Sequence, residues 1–168
     1  QIQKTRVLAI LALLNLIMVY WSLNSYEQHP TFGFDLKKSS VKIMEKQIDV
    51  LRTTFKQKSI NNGKDSSSFG DFLLGPQNSV IQTTKGSRLS KQSALNPDFA
   101  ALVTEMLIEL EIDPYDKVAV SYTGSYPGVN LAVLSALEAL KVSAVIISSC
   151  GASEYGATNQ EMTWIDIE

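Results

Sequence analysis

"DKVAVSYTGSYPGVNLAVLSALEALKVSAVIIS", Asp116 to Ser148, decides the architecture. It opens on the short β-branched run "DKVAVSY", Asp116 to Tyr122, and closes on "VSAVIIS", Val142 to Ser148. The second run is apolar at nearly every position, as a strand buried on both faces should be. Between them "VNLAVLSALEAL" reads as a helix. Strand, helix and strand joined by connections this short predict a right-handed crossover between adjacent parallel strands. The expected fold class is therefore α/β, a Rossmann-like parallel sheet fragment.

The turn "TGSYPG" sits at the carboxyl end of the first strand and the N-terminus of the helix, where unpaired backbone N–H groups and the positive end of the helix dipole favour an anion. Gly124 and Gly128 are expected to supply backbone conformations closed to other residues, Pro127 to stiffen the loop, and Thr123 and Ser125 to add hydroxyls. The second strand runs into "SSCGASEYGATNQ", again rich in small hydroxyl residues and glycine. Ligands of open parallel sheets bind beyond such strand ends, so both loops are candidates to face one pocket. The candidate ligand-binding residues are Thr123, Gly124, Ser125, Gly128, Asn130, Ser149, Gly151 and Ser153. The competing reading is that tight strand-to-helix turns use glycine and serine in any case.

Upstream, "NPDFAALVTEMLIELEI" offers Asn96 as N-cap, Pro97 at the first helical position and Asp98 in the first turn. Its expected apolar face is Phe99, Leu102, Val103, Met106, Leu107 and Leu110. "DLKKSSVKIMEKQIDVLRTTFKQKS", Asp35 to Ser59, spaces Val41, Met44, Ile48, Leu51 and Phe55 by threes and fours, the seam of an amphipathic helix. Two heptads are too few to specify an oligomer, so packing on the chain's own domain is preferred over pairing with a partner helix. "SINNGKDSSSFGD", Ser59 to Asp71, reads as a flexible connection.

Near the start, "VLAILALLNLIMVYWSL", Val7 to Leu23, has Asn15 as its sole strongly polar side chain. Seventeen residues span about 25 Å of a hydrocarbon core about 30 Å thick. Tyr20 and Trp21 are rings suited to the headgroup level, and Lys4 and Arg6 before the run favour a cytoplasmic N-terminus with the remainder outside. An uncleaved single-pass anchor in the cell membrane is preferred over a cleaved signal peptide, because no A-x-A site follows. The expected organisation is a membrane anchor over 1–25, an amphipathic helix and linker over 26–71, and an α/β domain over 72–168.

Composition narrows the chemistry. The 168 residues are 45% hydrophobic and 19% charged, with a net charge of −2, so nucleic acid is not an expected partner. Cys150 is the only cysteine and His29 the only histidine, which removes a disulfide within the chain and a zinc cluster; no metal and no cofactor are expected. G-x-G-x-x-G, the P-loop and the G-x-S-x-G elbow are all absent. Ser125 needs a base that the distant His29 does not offer, and Cys150 is read as a small buried hydrophobe before a nucleophile. Asp166 and Glu168 are acid/base candidates, read first as a solvated face.

Together "LLGPQNSVIQTTKGSRLSKQSALNPDFAALV", "TGSYPGVNLAVLSALEAL" and "SSCGASEYGATNQEMTWIDIE" resemble the poly-γ-glutamate system protein family, membrane-anchored companions of the subunits that make and export poly-γ-glutamate. The resemblance covers about Gly75 to Glu168 and, loosely, the anchor. Family members continue beyond Glu168, which implies an α/β domain incomplete at its C-terminal end. It implies an accessory component whose partners are the synthase and export membrane subunits, the lipid bilayer and the anionic polymer. The alternative is a hydrolase or transferase acting on poly-γ-glutamate, with Ser125 or Cys150 as nucleophile and the Gly124 to Gly128 amides as oxyanion hole.

Overall fold

The computed structural model describes residues 2–25, 30–60 and 70–168. The chain divides into two units, Gln1–Phe32 and Gly33–Glu168. Residues 26–29, His29 among them, and 61–69, most of the stretch read as a flexible connection, lie outside the described residues.

The first unit contains helix α1, Ile2–Asn24. Its segment Lys4–Asn24 is long and apolar enough to cross a membrane, and none of it is buried. Asn15 turns its amide back along the helix, Nδ2 donating to the Leu11 carbonyl at 3.0 Å. That bond satisfies one donor of the run's most polar side chain within the helix itself, which lowers the cost of placing it in lipid.

The second unit is mixed α/β. Its elements are α2 (Phe34–Gln57), a 3-10 turn at Asp71–Leu73, α3 (Arg88–Ser93), α4 (Asp98–Glu109), β1 (Lys117–Thr123), α5 (Pro127–Leu140), β2 (Ser143–Ser149) and α6 (Trp164–Ile167). β1 and β2 pair in parallel, in register from Lys117 opposite Ser143 to Thr123 opposite Ser149. Both strands lie one residue later than the hydrophobic runs suggest.

α5 is the hub. Its Leu131, Ala132, Ala136, Leu137 and Leu140 are buried, and it packs against both α2 and α4. α2 buries Met44, Ile48, Leu51 and Phe55, four of the five seam positions, with Val41 half-buried. The seam thus serves the chain's own core, and the compact unit begins at Gly33, well before Phe72, where the change in composition places the domain. The inner face of the sheet contributes Val118, Val120, Tyr122, Ala144 and Ile146.

Two expectations about burial are corrected. β2 is covered on one face only: Val145 is 64% and Ile147 71% exposed, because α2, α4 and α5 all lie on the other side and the described residues provide no second layer. In α4 the buried stripe is also rotated. Of the expected face, Phe99, Val103 and Leu107 are partly buried against the core and Leu102, Met106 and Leu110 are exposed, while Ala100 and Thr104 are fully buried. The small Ala100 allows close helix packing, and Thr104 Oγ1 lies 2.8 Å from Ser40 Oγ across the α2–α4 contact. That polar pair lies on the side of α4 that faces inward. At the helix start Pro97, not Asn96, holds the N-cap position and makes no side-chain cap bond, while Asn96, one position further out, accepts the Asp98 amide through Oδ1 at 3.0 Å.

Because Ile48 has no exposed surface, Ile48→Ala should lower unfolding stability by about 2–5 kcal/mol. Urea unfolding checks this, and the exposed Val50→Ala in the same helix should change stability by no more than about 0.5 kcal/mol.

Candidate functional site

Both strands deliver their carboxyl ends to the same place. The Gly124 amide donates to the Gly151 carbonyl at 3.0 Å, and the Ala157 amide donates to the Gly124 carbonyl at 2.7 Å, so the loop after β1 and the loop after β2 are bound backbone to backbone. The Ser153 amide donates to Ser125 Oγ at 3.0 Å. Gly124, Ser125, Gly151 and Ser153 are thereby brought together.

The remaining candidates are used locally. Thr123 Oγ1 accepts from the Ser125 amide at 3.3 Å and Ser149 Oγ from the Gly151 amide at 3.2 Å, two short turn-forming bonds. Buried Asn130 donates through Nδ2 to the Thr123 carbonyl at 2.8 Å, tying the first turn of α5 to the end of β1.

The glycines act differently from the expectation that they relieve backbone strain. Neither Gly124 nor Gly128 has a positive φ. At Gly128 a Cβ would overlap the Ala94 carbonyl, and at Gly124 it would lie 3.0 Å from Ala152 Cβ and 3.4 Å from Trp164 Cβ. They are close-approach residues: Gly128 lets α5 start against the end of α3, and Gly124 lets the two loops stack.

Beneath the loops lies Lys91, on α3 and only 1% exposed. Its Nζ is 2.5 Å from the Ser125 carbonyl, 3.2 Å from the Ser153 carbonyl and 2.6 Å from Ser153 Oγ, and 4.9 Å from the centre of the Tyr126 ring. Burial lowers its pKa to about 8, against an opposing pull from the Glu154 charge. Glu154 is itself buried, accepting from Gln77 Nε2 and, at 3.2 Å, from the Gly86 amide. Lys91 forms no ion pair among the described residues.

The segment before α3 is strapped to the second loop. The Thr83 amide donates to the Ala152 carbonyl at 2.8 Å, and the Glu154 amide donates to the Thr84 carbonyl at 2.8 Å. This places exposed Lys85 at the loop rim, followed by exposed Arg88, whose guanidinium carbon lies 5.9 Å from the centre of the Tyr155 ring. Neither cation forms an ion pair among the described residues.

Other sequence candidates fall away from this cluster. Cys150 is exposed rather than buried, because β2 ends before it, and the chain forms no helix until Trp164, which removes the helix N-terminus that would have activated its thiol. Asp166 caps α6: Oδ2 accepts from the Thr163 hydroxyl at 2.6 Å and from its amide at 2.8 Å, bonds that hold its carboxyl below the usual carboxylate range. Glu168 accepts from Ser148 Oγ. Nearby, burial and then the Glu168 charge push the Tyr122 phenol up.

Lys91, Lys85, Arg88 and Glu154 were not among the sequence candidates. A signal existed: Gly75 to Pro97 carries these three cations and no acid. No family model, curated protein or solved structure matches the chain.

Two outcomes follow from this geometry. Gly128→Ala should destabilise by about 1–3 kcal/mol through overlap with the Ala94 carbonyl, read by urea unfolding. Lys91, whose folded pKa lies below the unfolded value of 10.5, imposes its full burial penalty below about pH 8 and sheds it as pH rises toward 10.5, because the unfolded chain then binds more protons. Wild type should therefore gain stability relative to Lys91→Met across that window, read by denaturation at several pH values.

Proposed function

We propose that this chain is a membrane-anchored component of a poly-γ-glutamate synthesis and export system, with α1 in the bilayer beside the synthase and export subunits and the residues after α1 outside the cytoplasm. The parallel β1–α5–β2 unit is read as part of a Rossmann-like sheet, and the loops beyond its strand ends as the place where the carboxylate-rich chain is held.

The observation that carries the binding reading is the pair of exposed cations, Lys85 and Arg88, at the rim of the joined loops without carboxylate partners among the described residues. In a chain of net charge −2, two such cations on one acid-free stretch form a local positive field suited to a polyanion. Arg88 adds a planar donor fork that matches carboxylate geometry. The apolar α1, with Lys4 and Arg6 at its N-terminal end, supports the anchor and its orientation. The sequence resemblance supports the pathway.

The test uses the full chain in detergent micelles, titrated with short poly-γ-glutamate. Affinity should fall as salt rises from about 0.05 M to about 0.5 M, since exposed charges are screened over a few ångströms at the higher value. The double variant Lys85→Gln, Arg88→Gln should bind at least about tenfold more weakly, roughly 1.4 kcal/mol. Absence of saturable binding, or the same affinity in the double variant, would overturn the reading.

A further inference from the structure

The three partners of the Lys91 amine differ in kind. The Ser125 and Ser153 carbonyls accept hydrogen bonds only, whereas Ser153 Oγ can also donate. A neutral amine has two N–H donors and one lone pair. An ammonium donates to all three, as the 2.6 Å contact to Ser153 Oγ is oriented; a neutral amine donates to the two carbonyls and takes the Ser153 hydroxyl proton on its lone pair. What separates the two states is burial: Lys91 is 1% exposed and has no ion pair among the described residues, which makes the charged form costly. The environment therefore favours a lysine that polarises a serine.

The serine is held for that role. Its amide is bonded to Ser125 Oγ at 3.0 Å, its carbonyl to Lys91, and the next residue, Glu154, is tied to Gln77 and Gly86. Ser153 is 8% and Lys91 1% exposed, while neighbouring Ser125 is half-buried and Tyr126 exposed, so the pair lies just beneath the surface. The groups shown to face Lys91 are Glu154, from the loop after β2, and Tyr126, from the turn before α5; Arg88, three residues earlier on α3, stands against Tyr155, and Lys85 lies on the strap that precedes α3.

We propose that Ser153 is a nucleophile and Lys91 its general base, forming an acyl-transfer site for amides or esters whose acyl group carries a neighbouring carboxylate. The carboxylate preference rests on the anion-binding reading of Lys85 and Arg88; the nucleophile and base do not. As Ser153 Oγ bonds to the carbonyl carbon, its proton passes to Lys91 Nζ. Collapse of the tetrahedral adduct breaks the bond to the leaving amine or alcohol, which takes the proton from Lys91. Water then attacks the ester on Ser153, giving its proton to Lys91 as the new bond forms. Departure of Ser153 Oγ, reprotonated by Lys91, frees the carboxylic acid.

A fluorophosphonate probe tests the pair without a natural substrate: Ser153 Oγ would form a bond to phosphorus, fluoride would leave and Lys91 would take the proton. With the full chain in detergent micelles, peptide mass spectrometry should find the adduct on Ser153. Its rate should climb with pH to a plateau, with a midpoint near 8, the value set by burial of Lys91. Ser153→Ala should abolish the adduct, and Lys91→Met should slow it at least about 100-fold. Because the Glu154 charge raises the Lys91 pKa, Glu154→Gln should move the midpoint to lower pH, a shift that a purely structural lysine would not produce. Circular dichroism confirms that each variant is folded; if Lys91→Met is not, the pH profile and the Glu154→Gln shift decide. No adduct on folded wild type, an adduct on Ser125 or Cys150 instead, or a rate independent of pH would overturn the proposal. Labelling of Ser153 without cleavage of poly-γ-glutamate would leave the acyl-transfer site standing and remove the polymer as its substrate.

Discussion

The packing of α5 is the constraint on which the second unit depends. This helix has little polar surface to offer water; its inward side chains close the space between α2, α4 and the sheet. A two-stranded parallel sheet has too little surface to hold itself together, and its stability comes from the layer packed on it. α5 supplies that layer, and the chain crosses over it to bring β2 beside β1. Its first turn is equally fixed. Gly128 meets the Ala94 carbonyl and Asn130 holds the end of β1, so the start of α5 sets the height at which α3 and the first loop meet.

The site inherits that geometry. With α3 pressed against the start of α5, Lys91 enters below the loops and reaches both from one side. The two loops are then joined above it by backbone bonds between Gly124, Gly151 and Ala157. A cation in this position would ordinarily be neutralised by an acid, yet the nearest one, Glu154, is taken up by Gln77 and Gly86. The result is a lysine whose partners are carbonyls and a hydroxyl, a more reactive surrounding than an ion pair would give.

Much of this architecture is legible in the residues. The β-branched runs around Val118 and Val145 mark the strands, and the three- and four-residue spacing from Met44 to Phe55 marks the buried face of α2, since each signal reflects a local backbone period. The rotation of α4 was not legible. Leu102 and Met106 are more apolar than Thr104, yet Thr104 faces inward, where it meets Ser40, 64 positions away in sequence, beside the close packing at Ala100. The single-sided burial of β2 was hidden for a related reason: Val145 and Ile147 suit an exposed strand as well as a buried one, because branching at Cβ favours extended backbone in either place. At the site, the glycines and serines of both loops stand out as turn residues, but their partner Lys91 does not. Nothing local distinguishes a lysine that folds inward from the exposed Lys85 six residues before it.

The two-strand pairing has one more consequence, for amide exchange with solvent. Along a strand successive N–H groups point to opposite edges, so with a single partner strand among the described residues only alternate amides of β1 and β2 enter the β1–β2 ladder. Protection against deuterium should rise and fall with a period of two from Lys117 to Thr123 and from Ser143 to Ser149, while α5, whose bonds are internal, is protected continuously beyond its first turn. The sheet is thus a ladder with one set of rungs, and its persistence in solution is governed by how rarely α5 lifts away from it.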